Sequence, residues 1–306
     1  MIVNKTSSLS NRYVPMPFLN AQLLRTSLVT IFLLLAISPS AYSAEQKINI
    51  DTPQSDINPA IRDDADSNID IALEEKIEGS APAQHSWLFL HPYSAKYTVL
   101  SDGDSLGHAT RQLKKTGPDW SLNTYAKISK YMLTLKSTEL TEFHLKESQL
   151  VTDRFYSSTK MTFKKARKME QKFDWQKNLE TGSRGKKQWQ IEIKPQVYDR
   201  VSHIIQMRSD FLAGKRSFRY LVSYKGIISE YLYEIDKKEI LTTSMGKLST
   251  VKLIRNKSGG DIFALWLSPE LNYFPVKIAQ YEQDKPDVTL LLESLDYKKE
   301  PVAKIE

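Results

Sequence analysis

No cysteine occurs among the 306 residues. Disulfides, iron–sulfur clusters, zinc–thiolate sites, cysteine nucleophiles and an acylated-cysteine anchor are therefore excluded from this sequence. Glycine is scarce at 11 residues, against 15 tyrosines and 11 phenylalanines; that balance suits half-buried strands. The five histidines, His85, His91, His108, His144 and His203, never fall at H-x-H, H-x-x-x-H or H-E-x-x-H spacing. Metal-site spacing is thus absent, and no cofactor is implied. There is no G-x-S-x-G elbow for a nucleophile. Paired carboxylates such as Glu139 with Glu142, or Asp199 with Asp210, could serve a glycosidase only at a separation that sequence does not give.

Acids are missing from positions 1–43, which carry Lys5, Arg12 and Arg25. Residues 28–37 are continuously apolar, Ser38-Pro39-Ser40 ends the run, and Ala41 and Ser43 precede Ala44 as small residues. Basic, apolar and small-residue segments in this order form a secretory signal. The apolar run is about 10 residues, half of the ~20 needed to cross a bilayer. The expectation is cleavage after Ser43, a periplasmic product and no membrane span once the signal is removed. A thiol-free chain suits that oxidising compartment.

Residues 44–84 change character. Ten acids stand against Lys47, Arg62 and Lys76, scattered among Ser, Pro, Asn and Ala. Apart from a short helical period at 69–77, this composition predicts an acidic disordered linker. Setting the signal and linker aside turns the overall +7 into +11 for residues 85–306. The expected organisation is a signal (1–43), a linker (44–84) and a single basic β-rich domain (85–306). Its densest cationic run is Lys160, Lys164, Lys165, Arg167, Lys168 and Lys172, with Lys186 and Lys187 beyond a glycine turn. Such a surface draws anions. For an exported protein the partner is lipid or an acidic envelope polymer, not nucleic acid. Lys164, Lys165, Arg167, Lys168 and Lys172 are the candidate contacts.

Most of the domain alternates apolar and polar residues, with turn signals every ~8–12 residues, the pattern of antiparallel strands rather than βαβ units. Asp102-Gly103 marks a hairpin. Glycines 182 and 185 suggest a loop over 178–186, and Asp236-Lys237 suggests a turn. The stretch 261–278 organises the C-terminal half: Ile262, Ala264 and Trp266 alternate with Phe263, Leu265 and Leu267, so both faces are apolar and the strand is central. Pro269 breaks it, and Pro275 opens the return strand.

One helix is expected at about 199–213, with Asp199 as cap and Gly214 just beyond its end. Val201, Ile204, Ile205, Arg208, Phe211 and Leu212 follow a helical period, which reads as an amphipathic helix with one buried stripe. His203 between them reads as partly exposed. The fold class is mainly β: a curved antiparallel sheet or open half-barrel with one principal helix. Val201, Ile204, Ile205, Phe211 and Leu212, with Phe263, Leu265 and Trp266, are the candidate apolar pocket; a filled core is the alternative.

Four stretches resemble the bacterial exported family catalogued as domain of unknown function 3108: 93–97 with Gly103 and Gly107; 173–175; 198–208; and 246–255 with 266–278. The resemblance covers about residues 93–297 and implies no catalytic residue, since the family has no assigned activity. At fold level a curved sheet behind a signal is also similar to periplasmic lipoprotein-carrier half-barrels. The reading is a non-enzymatic periplasmic domain that binds an amphiphile or envelope partner. A hydrolase of envelope polysaccharide and a structural interaction module are the alternatives.

Overall fold

The computed structural model describes residues 87–147, 149–256, 261–282 and 285–297. The expected signal and linker, His85 and the glycine turn at 258–260 lie outside the described residues.

Among the described residues, fifteen strands form one open sheet. The first arm is a meander of β1 (Tyr93–Ser101), β2 (Asp104–Thr116), β3 (Asp119–Lys130), β4 (Leu133–Lys146), β5 (Gln149–Met161), β6 (Arg167–Asp174), β7 (Leu179–Arg184) and β8 (Lys187–Glu192). The second arm holds β9 (Val197–Tyr198), helix α1 (Ser202–Leu212), then β10 (Phe218–Tyr224), β11 (Ile227–Thr243), β12 (Gly246–Asn256), β13 (Ile262–Ser268), β14 (Phe274–Glu282) and β15 (Lys285–Tyr297). The arms join at the centre, where β1 pairs antiparallel with β15 and Tyr93 faces Tyr297. From that seam β2 to β8 lie outward on one side and β14 to β9 on the other.

Alternation sets which face turns inward. On β1, Tyr93, Ala95, Tyr97, Val99 and Ser101 are buried while the residues between them are not. Bulges at Lys96/Tyr97, Glu142/Phe143, Ile235/Lys237 and Gln280/Tyr281 bend the ladder, as an unpaired extra residue does. The sheet curls until its two ends meet. The Gln171 amide on β6 reaches the carbonyl and hydroxyl of Ser223 on β10, both at 3.4 Å. Trp189 of β8 packs against Gly226 in the β10–β11 turn and covers the Cα of Gly182, leaving no room for a Cβ at either glycine.

That contact corrects one expectation. Residues 179–184 are strand β7, not loop, because Gly182 is needed for close approach by Trp189 rather than for a turn; the turn itself uses Gly185 at φ 62°. The anticipated turn at Asp236-Lys237 is likewise the bulge inside a continuous β11. The Asp102-Gly103 turn is as expected, with φ of 50° and 85°.

The largest difference concerns α1. Its C-terminal border is as expected, with Gly214 just beyond the end at φ 80°. Its N-terminal border lies later than expected, at Ser202 after Val201 as N-cap, while Asp199 Oδ1 holds the preceding turn by accepting the N–H groups of Val201 (2.6 Å) and Ser202 (3.0 Å). The helix is not half wet, however. Ten of its eleven residues are buried, all but Leu212. It fills the inside of the curled sheet, so its polar side faces protein as well, and His203 is fully buried.

Candidate functional site

A helix enclosed on every side must satisfy its polar residues internally. The inward faces of the first arm supply the partners. Thr141 donates to Asp199 Oδ1 at 3.2 Å, Thr152 and Ser202 share a hydrogen bond of 2.9 Å, and the Leu150 N–H donates to Gln206 at 3.1 Å. Arg200 forms a buried ion pair with Glu139 at 2.6 Å, and its guanidinium lies over the Phe155 and Tyr224 rings. Burial pushes the Glu139 carboxyl upward against the pull of Arg200 and Arg111.

On the other flank, His203 is held down to a pKa of about 3 by burial and by the Arg255 charge, so it is neutral. Its Nδ1 faces the Asp199 carbonyl at 3.2 Å and its Nε2 faces the Tyr233 hydroxyl at 2.9 Å. A carbonyl only accepts, so Nδ1 carries the proton and Nε2 accepts from Tyr233. Neutral, fully engaged and enclosed, His203 is a structural residue. Arg208 donates to the Asn272 carbonyl at 3.1 Å and stacks between Phe89 and Phe274. Asp210 accepts from Gln206, Lys215 and Tyr220 at 3.0, 3.0 and 2.8 Å. This network orients the helix and its C-terminal neighbours.

The helix C-terminus is where the interior opens. Phe211 stacks on Phe218 at 4.1 Å and on Tyr273 at 4.5 Å. Beside them lies a groove of about 410 Å³, walled by Phe211, Tyr273, Val251, Ile235 and Ile240 and rimmed by Arg216 and Lys238. Ile240 is 67% exposed at the edge of this groove. Arg208, through Asn272, pins the segment that carries Tyr273. Glu239, on the same wall, is already engaged by Trp266 (2.6 Å) and Lys237 (3.2 Å). The rim therefore presents two cations, and its one carboxylate is in use.

The residues singled out from sequence divide three ways. Val201, Ile204, Ile205, Phe263 and Leu265 are packed in the core, and Phe211 lines the groove. Leu212 is 40% exposed. Trp266 faces the outer side of β13, buried under Lys252 and Lys277, which lie 5.3 and 4.3 Å from its ring. The pocket residues that sequence reasoning missed are Ile235, Lys238, Ile240 and Tyr273. A break in register at 236–237 hid the first three, and a left-handed backbone at Tyr273 (φ 54°) hid the last.

A second recess of about 450 Å³ holds Asp119, Ser121, Glu142, His144 and Asp153. His144 Nδ1 meets Asp153 at 2.9 Å, but Ser121 makes no hydrogen bond to that imidazole, so no nucleophile is poised there. Glu139 and Glu142 lie on opposite faces of β4, and Asp199 and Asp210 are bound into the helix network at its two ends. None of these pairs faces a common cleft. Among the described residues no three His, Asp or Glu side chains converge as metal ligands, and no helix is long and apolar enough to cross a membrane.

Residues 92–293 match the family described as "Protein of unknown function (DUF3108)". The chain belongs to the DUF3108 family. No curated protein matches it. Among solved structures, this DUF3108 domain is similar to a beta-barrel-like protein of domain of unknown function DUF1849 from Brucella abortus. That match has 13% identity and a TM-score of 0.50 and covers 69% of this chain and 99% of the other. The likeness is one of fold. A putative lipoprotein from Parabacteroides distasonis also matches, at 9% identity and a TM-score of 0.28, over 68% of this chain and 96% of the other.

Proposed function

We propose that this DUF3108 protein is an exported, non-enzymatic binding domain of the cell envelope that holds an acidic amphiphile at the C-terminal end of α1. The observation that carries the reading is the groove: apolar walls, a volume within the ligand range of ~300–1,000 Å³, and Arg216 and Lys238 at its rim. Those walls suit an alkyl chain, and the two cations suit a carboxylate or phosphate head. The interior beneath the helix is occupied by the polar network, so the ligand sits beside the helix end, not under its length. Export rests on the basic, apolar and small-residue order of positions 1–43.

Displacement of a fluorescent fatty acid tests the groove. Ile240→Asp places a charge against the alkyl chain at an exposed position and is expected to weaken binding at least about tenfold without lowering the melting temperature. Equal binding by the native protein and this variant would remove the groove from consideration.

A further inference from the structure

At the end of the sheet opposite the groove, two hairpin tips stand side by side. The β3–β4 turn carries Tyr131 and Met132, and the β5–β6 turn carries Phe163. These side chains are 82%, 85% and 92% exposed. The turns are tied together: the Thr162 N–H donates to the Thr134 carbonyl at 2.9 Å, and the Thr134 N–H donates to Thr162 Oγ1 at 2.8 Å. Tyr131 and Phe163 also occupy left-handed backbone, at φ 54° and 61°. Bulky residues are disfavoured there, and Gly or Asn would fit at lower cost. Two large aromatic rings thus project into solvent from positions where the backbone favours other residues.

The surroundings have one sign. Segments 129–138 and 156–169 contain no acid. Lys130, Lys136, Lys160, Lys164, Lys165 and Lys168 ring the tips, and none forms an ion pair among the described residues. A soluble polyanion would account for the lysines but not for bare Tyr, Met and Phe at the apex. A bilayer interface accounts for both, because aromatic and apolar tips enter the head-group boundary while lysines meet anionic heads.

We infer that this end of the domain docks on an anionic lipid surface, with Tyr131, Met132 and Phe163 inserted and the lysine ring against the head groups. The inference does not depend on the groove, which lies at the far end.

Vesicle co-sedimentation of protein from cells expressing the full-length chain tests it. All variants are prepared identically and share the same N-terminus, so segments outside the tips contribute equally. The expected result is binding to mixed phosphatidylglycerol and phosphatidylcholine vesicles, little binding to phosphatidylcholine alone, and loss of binding at ~1 M salt. The double variant Tyr131→Asn, Phe163→Asn should bind at least about tenfold more weakly with an unchanged or higher melting temperature, since Asn suits both backbones. Lys164→Glu with Lys165→Glu should weaken binding comparably. Vesicle binding untouched by the Asn variant, or full suppression of native binding by a soluble polyanion with the Asn variant equally suppressed, would overturn the inference in favour of an acidic polymer. Ile240→Asp serves as the control that separates this surface from the groove.

Discussion

Replacing Asp199 with Asn should change how stability depends on pH. The carboxyl is fully buried. Its Oδ1 accepts from Val201, Ser202 and Thr141, while its Oδ2 meets no donor among the described residues. Burial outweighs these hydrogen bonds and lifts the pKa from 3.8 to about 6. About two units at ~1.4 kcal/mol each amount to about 3 kcal/mol. The folded chain holds the proton more tightly than the unfolded one. The stabilisation is therefore fully present below pH ~4, fades as pH rises towards ~6, and is lost above it. Asn keeps an acceptor at Oδ1 and does not titrate. Stability measured by urea melts should therefore shift in favour of Asp199→Asn by about 3 kcal/mol between pH ~4 and pH ~7. Subtracting the two profiles cancels groups common to both proteins. Glu139, which feels the Asp199 charge, carries part of the change. A difference that stays flat across this range would refute the claim that burial dominates at Asp199.

Four further outcomes follow from the packing. Trp266→Ala should destabilise the domain by about 3–5 kcal/mol, as truncation of a large buried aromatic does; denaturant melts showing a loss under ~1 kcal/mol would contradict its burial beneath Lys252 and Lys277. Glu139→Gln removes the carboxylate from its buried ion pair with Arg200 and should cost about 3–5 kcal/mol at neutral pH, read from the same melts. Gly182→Ala puts a Cβ where the Trp189 ring lies and should displace that indole from its 2.7 Å hydrogen bond to Glu180, seen as a red-shifted tryptophan emission. Intact-mass measurement of periplasmic protein should find Ala44 as the first residue; product still carrying residues 1–43 would defeat the signal assignment.

Strand alternation was legible because one face of each strand is buried and the period is two. The mainly β class, the Asp102-Gly103 hairpin, the two-faced strand ending at Ser268 and the C-terminal border of α1 came through local chemistry that acts over a few residues. The nature of the interior did not. On β4 the inward positions are Leu135, Ser137, Glu139, Thr141 and Phe143; alternation alone would call several of these outward. Thr141 and Glu139 turn inward because Asp199 and Arg200, just ahead of the helix, meet them from about sixty positions along the chain. A period in a single segment carries no trace of such partners. The same holds for Gly182, whose reason is the Trp189 ring, and for the groove, which joins α1, β11, β12 and the β13–β14 connection. The basic run near Lys164 was readable as charge, but the apex of Tyr131, Met132 and Phe163 came to light only when two hairpins were placed next to each other.

The pairing of β1 with β15 has a consequence for how the chain reaches its native state. The first strand made by the ribosome waits for the last one, with just over two hundred residues between Tyr93 and Tyr297. Until that seam zips shut, each arm carries a raw edge able to recruit a strand from any neighbour, and closing so long a loop is slow. A chain cut short before Lys285 would leave two unstitched meanders, one of them holding a helix whose buried polar partners sit on the other. Loss of residues 285–306, which include all of β15, should therefore be felt across the whole domain, as aggregation rather than as a frayed end.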